Sequence, residues 1–322
     1  MSAPVTAIIP NWNGGERLLR VINDLARQTL KPERVLVVDN ASTDSSAQEA
    51  ERQGATVMRL KGNRGFAHAV NLGWQATGTP LVTILNNDVE LEADWLGHLL
   101  AAMKSGAWFA TGKILQARRT DLIDATFDLV CRGGCAWRCG SGKPDNRIWN
   151  ERQAIQSAPF TALLLRTELF HQVGGLDERF ESYLEDVDFG LRCALAGYEG
   201  VYAPEAVARH WGSATLGLWH PETTRLIARN QIFLASKYCT RDSWPWATVV
   251  AQLLWGLVAL RHGAFAGWVR GKWEGLHADI EWKQPGDEIQ IREIFRRHED
   301  RIHELQSATG SEWYWRLYFA LT

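Results

Sequence analysis

Val35-Leu36-Val37-Val38-Asp39-Asn40-Ala41-Ser42-Thr43-Asp44 runs an unbroken apolar stretch straight into a polar turn. Four apolar residues in a row, with no polar residue alternating between them, describe a strand buried on both faces, the habit of a parallel sheet. The flanks repeat the theme. Upstream, Val5–Ile9 is a short β-rich run ending at Pro10, and Arg17–Gln28 carries Leu18, Val21, Ile22 and Leu25 at helical spacing. Downstream come the helix-like Ser45–Gln53, the strand-like Thr56–Leu60, the helical Ala67–Gln75, and Leu81–Leu85 leading into Asn86-Asn87-Asp88. Strands alternating with amphipathic helices predict βαβ units and an α/β fold with both sheet faces covered. Ligands of such sheets sit beyond the carboxyl ends of the strands. Those ends carry Pro10-Asn11, Asp39-Asn40, Gly62–Phe66 and Asn86–Asp88, so one rim is the candidate site.

The 322 residues, 46% apolar and 22% charged, have the make-up of a globular protein with a real core, which excludes disorder as the main state. Thirty-seven acidic against 35 basic residues give a charge of −2, so no basic field points to nucleic acid as a partner. Five Cys, with no basic segment ahead of the Val5–Pro10 strand, lead to the expectation of a reduced, cytoplasmic setting. Cys131, Cys135 and Cys139 match no standard zinc spacing. Of the 16 Trp, ten lie from Trp211 onward.

Beyond residue 105 the pattern loosens. Trp108–Leu115 and Thr161–Arg166 read as strands, Thr120–Asn150 as irregular, Gly174-Gly175 as a tight turn, Glu185–Ala196 as a helix and Ala206–His210 as a last strand. Helical patterns follow at Thr223–Lys237, Trp246–Leu260, Phe265–Ile280 and Glu288–Leu305. The expected organisation is a catalytic domain over 1–215, with a nucleotide-binding half of about 1–105 and an acceptor half of about 106–215. A helical region over 216–322 completes the chain.

The rim residues have plain readings beside functional ones. Asp39 in Asp-Asn-Ala-Ser-Thr-Asp is good turn chemistry, and it is equally an acceptor for a base N–H or ribose hydroxyls. Asn11-Trp12-Asn13-Gly14-Gly15 stands where a dinucleotide fold has G-x-G-x-x-G, which removes the main support for NAD, and there is no Walker A loop. Asp88 is a modest metal ligand or a turn residue before a helix at about Ala93–Met103. Glu181, Glu185, Asp186 and Asp188 crowd more carboxylates into eight residues than a helix N-terminus needs, and one of them is a candidate general base. His210, alone after a strand, reads more readily as structural than as a ligand.

Taken together the segments resemble an inverting family-2 glycosyltransferase of the GT-A type, in the branch of rhamnosyltransferase-like enzymes of bacterial cell-surface polysaccharides. The resemblance rests on Ile8-Ile9-Pro10-Asn11-Trp12-Asn13, Val37–Asp44, Asn63-Arg64-Gly65-Phe66-Ala67 and Leu85-Asn86-Asn87-Asp88. It continues through Val173-Gly174-Gly175-Leu176-Asp177-Glu178, Tyr183-Leu184-Glu185-Asp186-Val187-Asp188, and His210 with Ser213, over roughly residues 4–215. It implies a Rossmann-like mixed sheet flanked by helices, a nucleoside-diphosphate sugar donor (dTDP or UDP), and Mg²⁺ or Mn²⁺. It also implies a glycan or polyprenol-linked acceptor, with L-rhamnose a candidate sugar. By position, Pro10, Asn11 and Asn13 would line the base pocket and Asp39 read the pyrimidine edge. Asn63, Arg64 and Gly65 would flank the nucleotide, Asn86 the ribose or the sugar, and Asn87 would join the donor-binding set. Asp88 and His210 would hold the metal, Asp186 would be the base, and Glu185 would orient it or the acceptor. Two departures stand out: Asn-Asn-Asp where many relatives have two acids, and Phe160-Thr161-Ala162 where relatives often have Gly-Ala. Inversion comes from the resemblance; the spacing alone also accommodates retention.

Two other readings compete. A nucleotidyltransferase would need a Gly-rich loop bearing Arg or Lys after the first strand, and Asn11–Gly15 has neither. A non-catalytic sugar-nucleotide-binding or glycan-binding scaffold has no need of both Asp88 and Asp186. In the tail, Ser243–Leu260 carries no charge and is followed by Arg261, His262, Arg270 and Lys272. It reads equally as a buried helix or homodimer face and as an interfacial helix, with a membrane span, for which 18 residues is the bare minimum, as a lesser third reading. In the second case residues 243–275 would make peripheral contact with the inner face of the cell membrane, Trp244, Trp246, Trp255, Trp268 and Trp273 lying at headgroup depth.

Overall fold

The computed structural model describes residues 2–212, 219–239, 245–283 and 285–322; Ser213, Ser243 and Trp244 lie outside them. It divides into two units: Met1–Phe127 with Arg138–Thr215, and Asp128–Trp137 with Leu216–Thr322.

The first unit opens with the anticipated alternation: β1 (Ser2–Asn11), α1 (Gly15–Arg27), β2 (Lys31–Asp39), α2 (Ser46–Arg52), β3 (Thr56–Arg59), α3 (Gly65–Gln75) and β4 (Leu81–Leu85). Then come β5 (Val89–Leu91), α4 (Trp95–Met103), β6 (Phe109–Gln116) and β7 (Ile123–Ala125). After a hairpin of β8 (Asp128–Val130) and β9 (Ala136–Arg138), which belongs to the second unit up to Trp137, the first unit resumes with β10 (Gln153–Ile155), β11 (Ala162–Arg166), α5 (Thr167–Val173), α6 (Glu185–Leu195) and β12 (Gly200–His210).

The main sheet runs β10-β12-β6-β11-β4-β1-β2-β3, with β5 on β12 and β7 on β6. β1 is parallel to β2 and β4, and β2 to β3. β11 enters antiparallel between β4 and β6, and β12 is parallel to β6. Hence β1, β2, β3, β4, β6 and β12 all point the same way. The register pairs Asn11 with Asp39, Asp39 with Arg59, and His210 with Gln116, so the polar strand ends share one rim.

One sheet face packs Val5, Ala7 and Ile9 against Leu18, Val21, Ile22 and Leu25 of α1 and Trp95, Leu96 and Leu99 of α4. α3 covers the other face and can approach only because residue 73 is glycine: a Cβ there would lie 2.4 Å from Ile8 Cγ2. Against the sequence expectation, β12 begins at Gly200, not Ala206; Pro204 and a register shift between Ala203 and Val207 hide its first half. Thr120–Asn150 is not wholly irregular, since it holds β7, β8 and β9.

The second unit adds α7 (Pro221–Tyr238), α8 (Pro245–Arg261), α9 (Phe265–Leu276), α10 (Glu288–Thr309) and α11 (Trp313–Leu321). α9 stops four residues before the expected Ile280, and α11 is a helix beyond the four expected patterns. Glycine every fourth residue lets α9 lie on α7. Cβ atoms at Gly267 and Gly271 would meet the carbonyl oxygens of Pro221 and Arg225 at 2.4 and 2.1 Å. Lys272, one of the four basic residues that an interfacial helix would turn toward anionic lipid, is instead buried, its ammonium donating to Ala228 O and Gln231 Oε1 at 2.8 Å and to Gln252 Oε1. No described helix is long and apolar enough to cross a membrane.

Candidate active site

The rim begins with a polar knot. Asn11 Nδ2 donates to Asp39 Oδ1 at 2.9 Å, Ser46 Oγ at 3.0 Å and Ser42 Oγ at 3.2 Å, while Asn87 Nδ2 donates to Asn11 Oδ1 at 2.9 Å. Asp39 closes its own turn by accepting from Ser42 Oγ at 2.5 Å and Ser42 N at 3.2 Å. A carboxylate has about four acceptor positions, so the turn role leaves Asp39 capacity for one more donor. Asn13 accepts from Thr43 N at 2.8 Å, its own N–H reaching Ser42 Oγ at 2.9 Å. Pro10 is buried near the end of β1, opposite Val38. Asn63 and Arg64 are exposed; Asn63 Oδ1 accepts from Gly65 N at 2.9 Å.

A second loop folds onto the first. Ala67 N donates to Glu181 O at 2.9 Å and Phe66 N to Ser182 Oγ at 3.1 Å, tying the start of α3 to the turn ahead of α6. Among the described residues, the non-glycines with positive φ are Asn13, Ala41, Glu181, Tyr183 and Leu184, at 52°, 61°, 60°, 71° and 66°. All lie in these rim loops. Such conformations cost of order 1–3 kcal/mol each and persist where the surroundings hold them, commonly around functional sites.

Of the four acidic residues near α6, the structure separates the roles. Asp188 is fully buried and takes Arg192 Nε at 2.9 Å, and that guanidinium also donates to the carbonyls of Val173 and Gly175 at 2.6 and 2.9 Å. It clamps the Gly174-Gly175 turn. Glu181 is exposed, Glu185 buried, and Asp186 only 8% exposed. Asp186 accepts from Val187 N at 2.9 Å and Phe160 N at 3.4 Å. Burial lifts its pKa; Arg138 and those two N–H groups offset only part of the rise.

Phe160 joins this carboxylate to the third cluster. The next residue, Thr161, accepts Asn86 N through its carbonyl at 2.9 Å, two positions before Asp88. Asp88 Oδ1 faces His210 Nε2 at 3.1 Å, and Asp124 Oδ2 holds His210 Nδ1 at 2.9 Å. Asn86 Nδ2 lies 3.4 Å from the same Nε2. Burial opposes charge on His210, but hydrogen bonds to Asp124 and Asp88 prevail and lift its pKa to about 9. Burial would raise Asp124, and the pull of His210 and then Arg138 reverses it. Arg138 is thus felt by Asp124 and by Asp186.

The donor chemistry suits a divalent cation. A carboxylate oxygen and an imidazole nitrogen face each other, and a second carboxylate stands behind the ring, the arrangement that fixes the tautomer of a ligating His. Among the described residues no group of three or more His, Cys, Asp or Glu is placed to hold a metal ion. Sequence reasoning missed Asp124 and Arg138, which lie in a stretch without periodicity. A cavity of about 520 Å³ opens elsewhere, near the starts of β6 and β12 beside Trp108 and Gly200, and no rim residue named above lines it.

The profile of glycosyl transferase family 2 matches residues 6–154. The N-acetylglucosaminyl-diphospho-decaprenol L-rhamnosyltransferase of Mycobacterium tuberculosis is 30% identical over 286 residues, covering 80% of this chain and 91% of the relative. The crystal structure of GalNAc-T7 with UDP, GalNAc and Mn²⁺ superposes with a TM-score of 0.63 at 12% identity, over 95% of this chain and 58% of that one. The mannosyltransferase PcManGT of Pyrobaculum calidifontis, in complex with GDP-Man and Mn²⁺, gives 0.55 at 14% identity, over 99% and 87%. Those two likenesses speak for the fold. With a near-full-length relative at this identity, the chain belongs to glycosyl transferase family 2: it is a GT-A-fold glycosyltransferase, similar to a rhamnosyltransferase.

Proposed function

We propose that the chain is a metal-dependent inverting glycosyltransferase that moves a sugar, L-rhamnose first among the candidates, from a dTDP- or UDP-sugar to a lipid-linked precursor of a surface polysaccharide. The observation that carries this reading is the connection of Asp186, through Phe160 and Thr161, to the segment bearing Asp88 and its partner His210. The relative's name supplies the sugar and the decaprenol-linked acceptor.

In this reading Pro10, Asn11, Asn13 and Asp39 receive the base, Asn63, Arg64 and Gly65 flank the nucleotide, and Asn86 and Asn87 border the sugar. Asp186 takes the proton of the acceptor hydroxyl as that oxygen bonds the anomeric carbon, and Glu185 orients it. The bond from that carbon to the diphosphate breaks at the same time, and the diphosphate leaves with the electron pair. A raised pKa suits Asp186 to this task, because a base nearer neutrality keeps more driving force for the transfer. Mg²⁺ or Mn²⁺, held by Asp88 and His210, would neutralise charge gathering on the departing phosphates. Residues 1–105 would thus form the donor half, 106–215 the acceptor half, and 216–322 an accessory region working at the inner face of the membrane.

Calorimetry with a panel of nucleoside diphosphates, with and without Mn²⁺, tests the reading. Binding of dTDP or UDP should strengthen with the metal, and Asp88→Ala should abolish that gain. Metal-independent binding, or a preference for another nucleotide class, overturns it.

A further inference from the structure

The outer faces of α8 and α9 are apolar and largely exposed, although Trp246 Nε1 donates to Leu321 O at 2.8 Å and the Trp273 ring stacks on His277. On α8, Trp246, Leu253, Leu257 and Leu260 fall at i, i+7, i+11 and i+14, one narrow stripe, and all are exposed. On α9, Phe265, Val269, Trp273 and Leu276 do the same at i, i+4, i+8 and i+11. Trp246, Trp273 and Leu276 are 62%, 64% and 69% exposed, values unusual for such large side chains gathered on two successive helices. Loose packing is not the cause. The inner sides are tight, with a Cβ at Gly256 meeting the Trp268 ring at 2.8 Å and the glycine seam of α9 lying on α7.

Charge indicates what covers these stripes. From Trp246 to Trp273 there is no Asp or Glu. Arg261 is exposed at the turn between the helices and forms no ion pair with a described residue, and exposed His262 stands beside it. Arg270 is already answered by Glu274 at 2.9 Å and Glu222 at 3.3 Å. In a second copy the α9 carboxylate, Glu274, is already paired with Arg225 and Arg270, so this face would offer Arg261 no free acid, whereas an anionic lipid headgroup would meet it. Neither helix is long and apolar enough to span a bilayer, so a membrane would be met in its interfacial plane.

We propose that the outer face of α8 and α9 is a docking surface for an anionic lipid bilayer, with Trp246 and Trp273 as its aromatic anchors. The inference rests on the lipid-linked acceptor proposed above for its purpose, since a site serving such an acceptor gains from being held at the membrane. It stands on different residues.

The test is co-sedimentation of the full chain with vesicles of equimolar phosphatidylglycerol and phosphatidylcholine, against vesicles of phosphatidylcholine alone. Binding is expected to the anionic vesicles and to weaken with salt. Trp246→Ser combined with Trp273→Ser should lower the partition coefficient roughly tenfold. Leu253→Ser with Leu257→Ser serves as a second variant, and unchanged melting and Mn²⁺-dependent nucleotide binding show that both remain folded. Equal sedimentation of variants and parent, or none with either vesicle, overturns the proposal. So does a lipid-free dimer that the serine variants convert to monomer, which would make this face the chain's own interface. Vesicle binding without any nucleotide binding would support this surface while sinking the donor assignment.

Discussion

Asp124 Oδ2 lies 2.9 Å from His210 Nδ1, which turns the other ring nitrogen, Nε2, toward Asp88. Two carboxylates on one buried imidazole keep it protonated up to about pH 9 in the absence of a cation. In the proposed reading, a metal ion held by His210 would have to displace that proton.

Mn²⁺ affinity should rise about tenfold per pH unit between neutrality and pH 9, then level off. Asp124→Asn removes one of the charges that hold the proton, so the pH slope should flatten. It also loosens the ring, and the affinity extrapolated to full deprotonation should drop about 10- to 100-fold. Manganese titrations followed by electron paramagnetic resonance read both quantities. A slope and a limit both equal to the parent's would mean that Asp124 does not position His210.

Asp186→Asn should keep donor binding, because its amide oxygen can still accept from Val187 N, and only the longer 3.4 Å contact from Phe160 N, made to the other carboxylate oxygen, is given up. Turnover should fall by about 10²- to 10⁴-fold, the usual scale of one general base. Single-turnover transfer at the parent's rate would remove Asp186 from the reaction.

Much of this arrangement could be read in the chain. Asp39 and Asp88 were visible because each follows a continuous apolar strand, and strand order carries both to the same rim. Asp124 and Arg138 were not. They sit in short strands of a stretch with no hydrophobic period, and only tertiary folding brings Asp124 to His210. Three-residue β5 is too short to show a period at all. The second unit misled for another reason. A lysine in a helix ordinarily faces water, but Lys272 is buried with carbonyl oxygens around its ammonium, a compensation that no local pattern announces.

Gly65 carries φ of +87°, and a Cβ there would stand 2.6 Å from the carbonyl oxygen of Glu181. Backbone cannot yield as a side-chain tip does. Gly65→Ala should therefore destabilise the protein by about 1–3 kcal/mol. It should also lower turnover, because the displaced loop leads into the helix bearing Asp186. Thermal melts and initial rates check the pair of effects; a variant with both unchanged would show that the two loops do not depend on each other.

His298 on α10 gives a stability prediction with a definite sign. It is buried, its Nδ1 accepts the Val130 N–H at 3.2 Å, and burial lowers its pKa to about 4. The unfolded chain titrates this group near 6.5. Between those values the unfolded state binds a proton that the folded state refuses, so acid favours unfolding. Stability should fall as pH drops from about 6.5 toward 4, by about 3 kcal/mol over the whole interval from this residue. Above pH 6.5 neither state holds the proton and the group contributes no slope. His298→Asn offers a neutral acceptor at a comparable position and cannot titrate, so urea midpoints of the variant should lose that share of the acid dependence. Parallel pH profiles for parent and variant would show that the imidazole takes up its proton in the folded state, contrary to its donor at Val130.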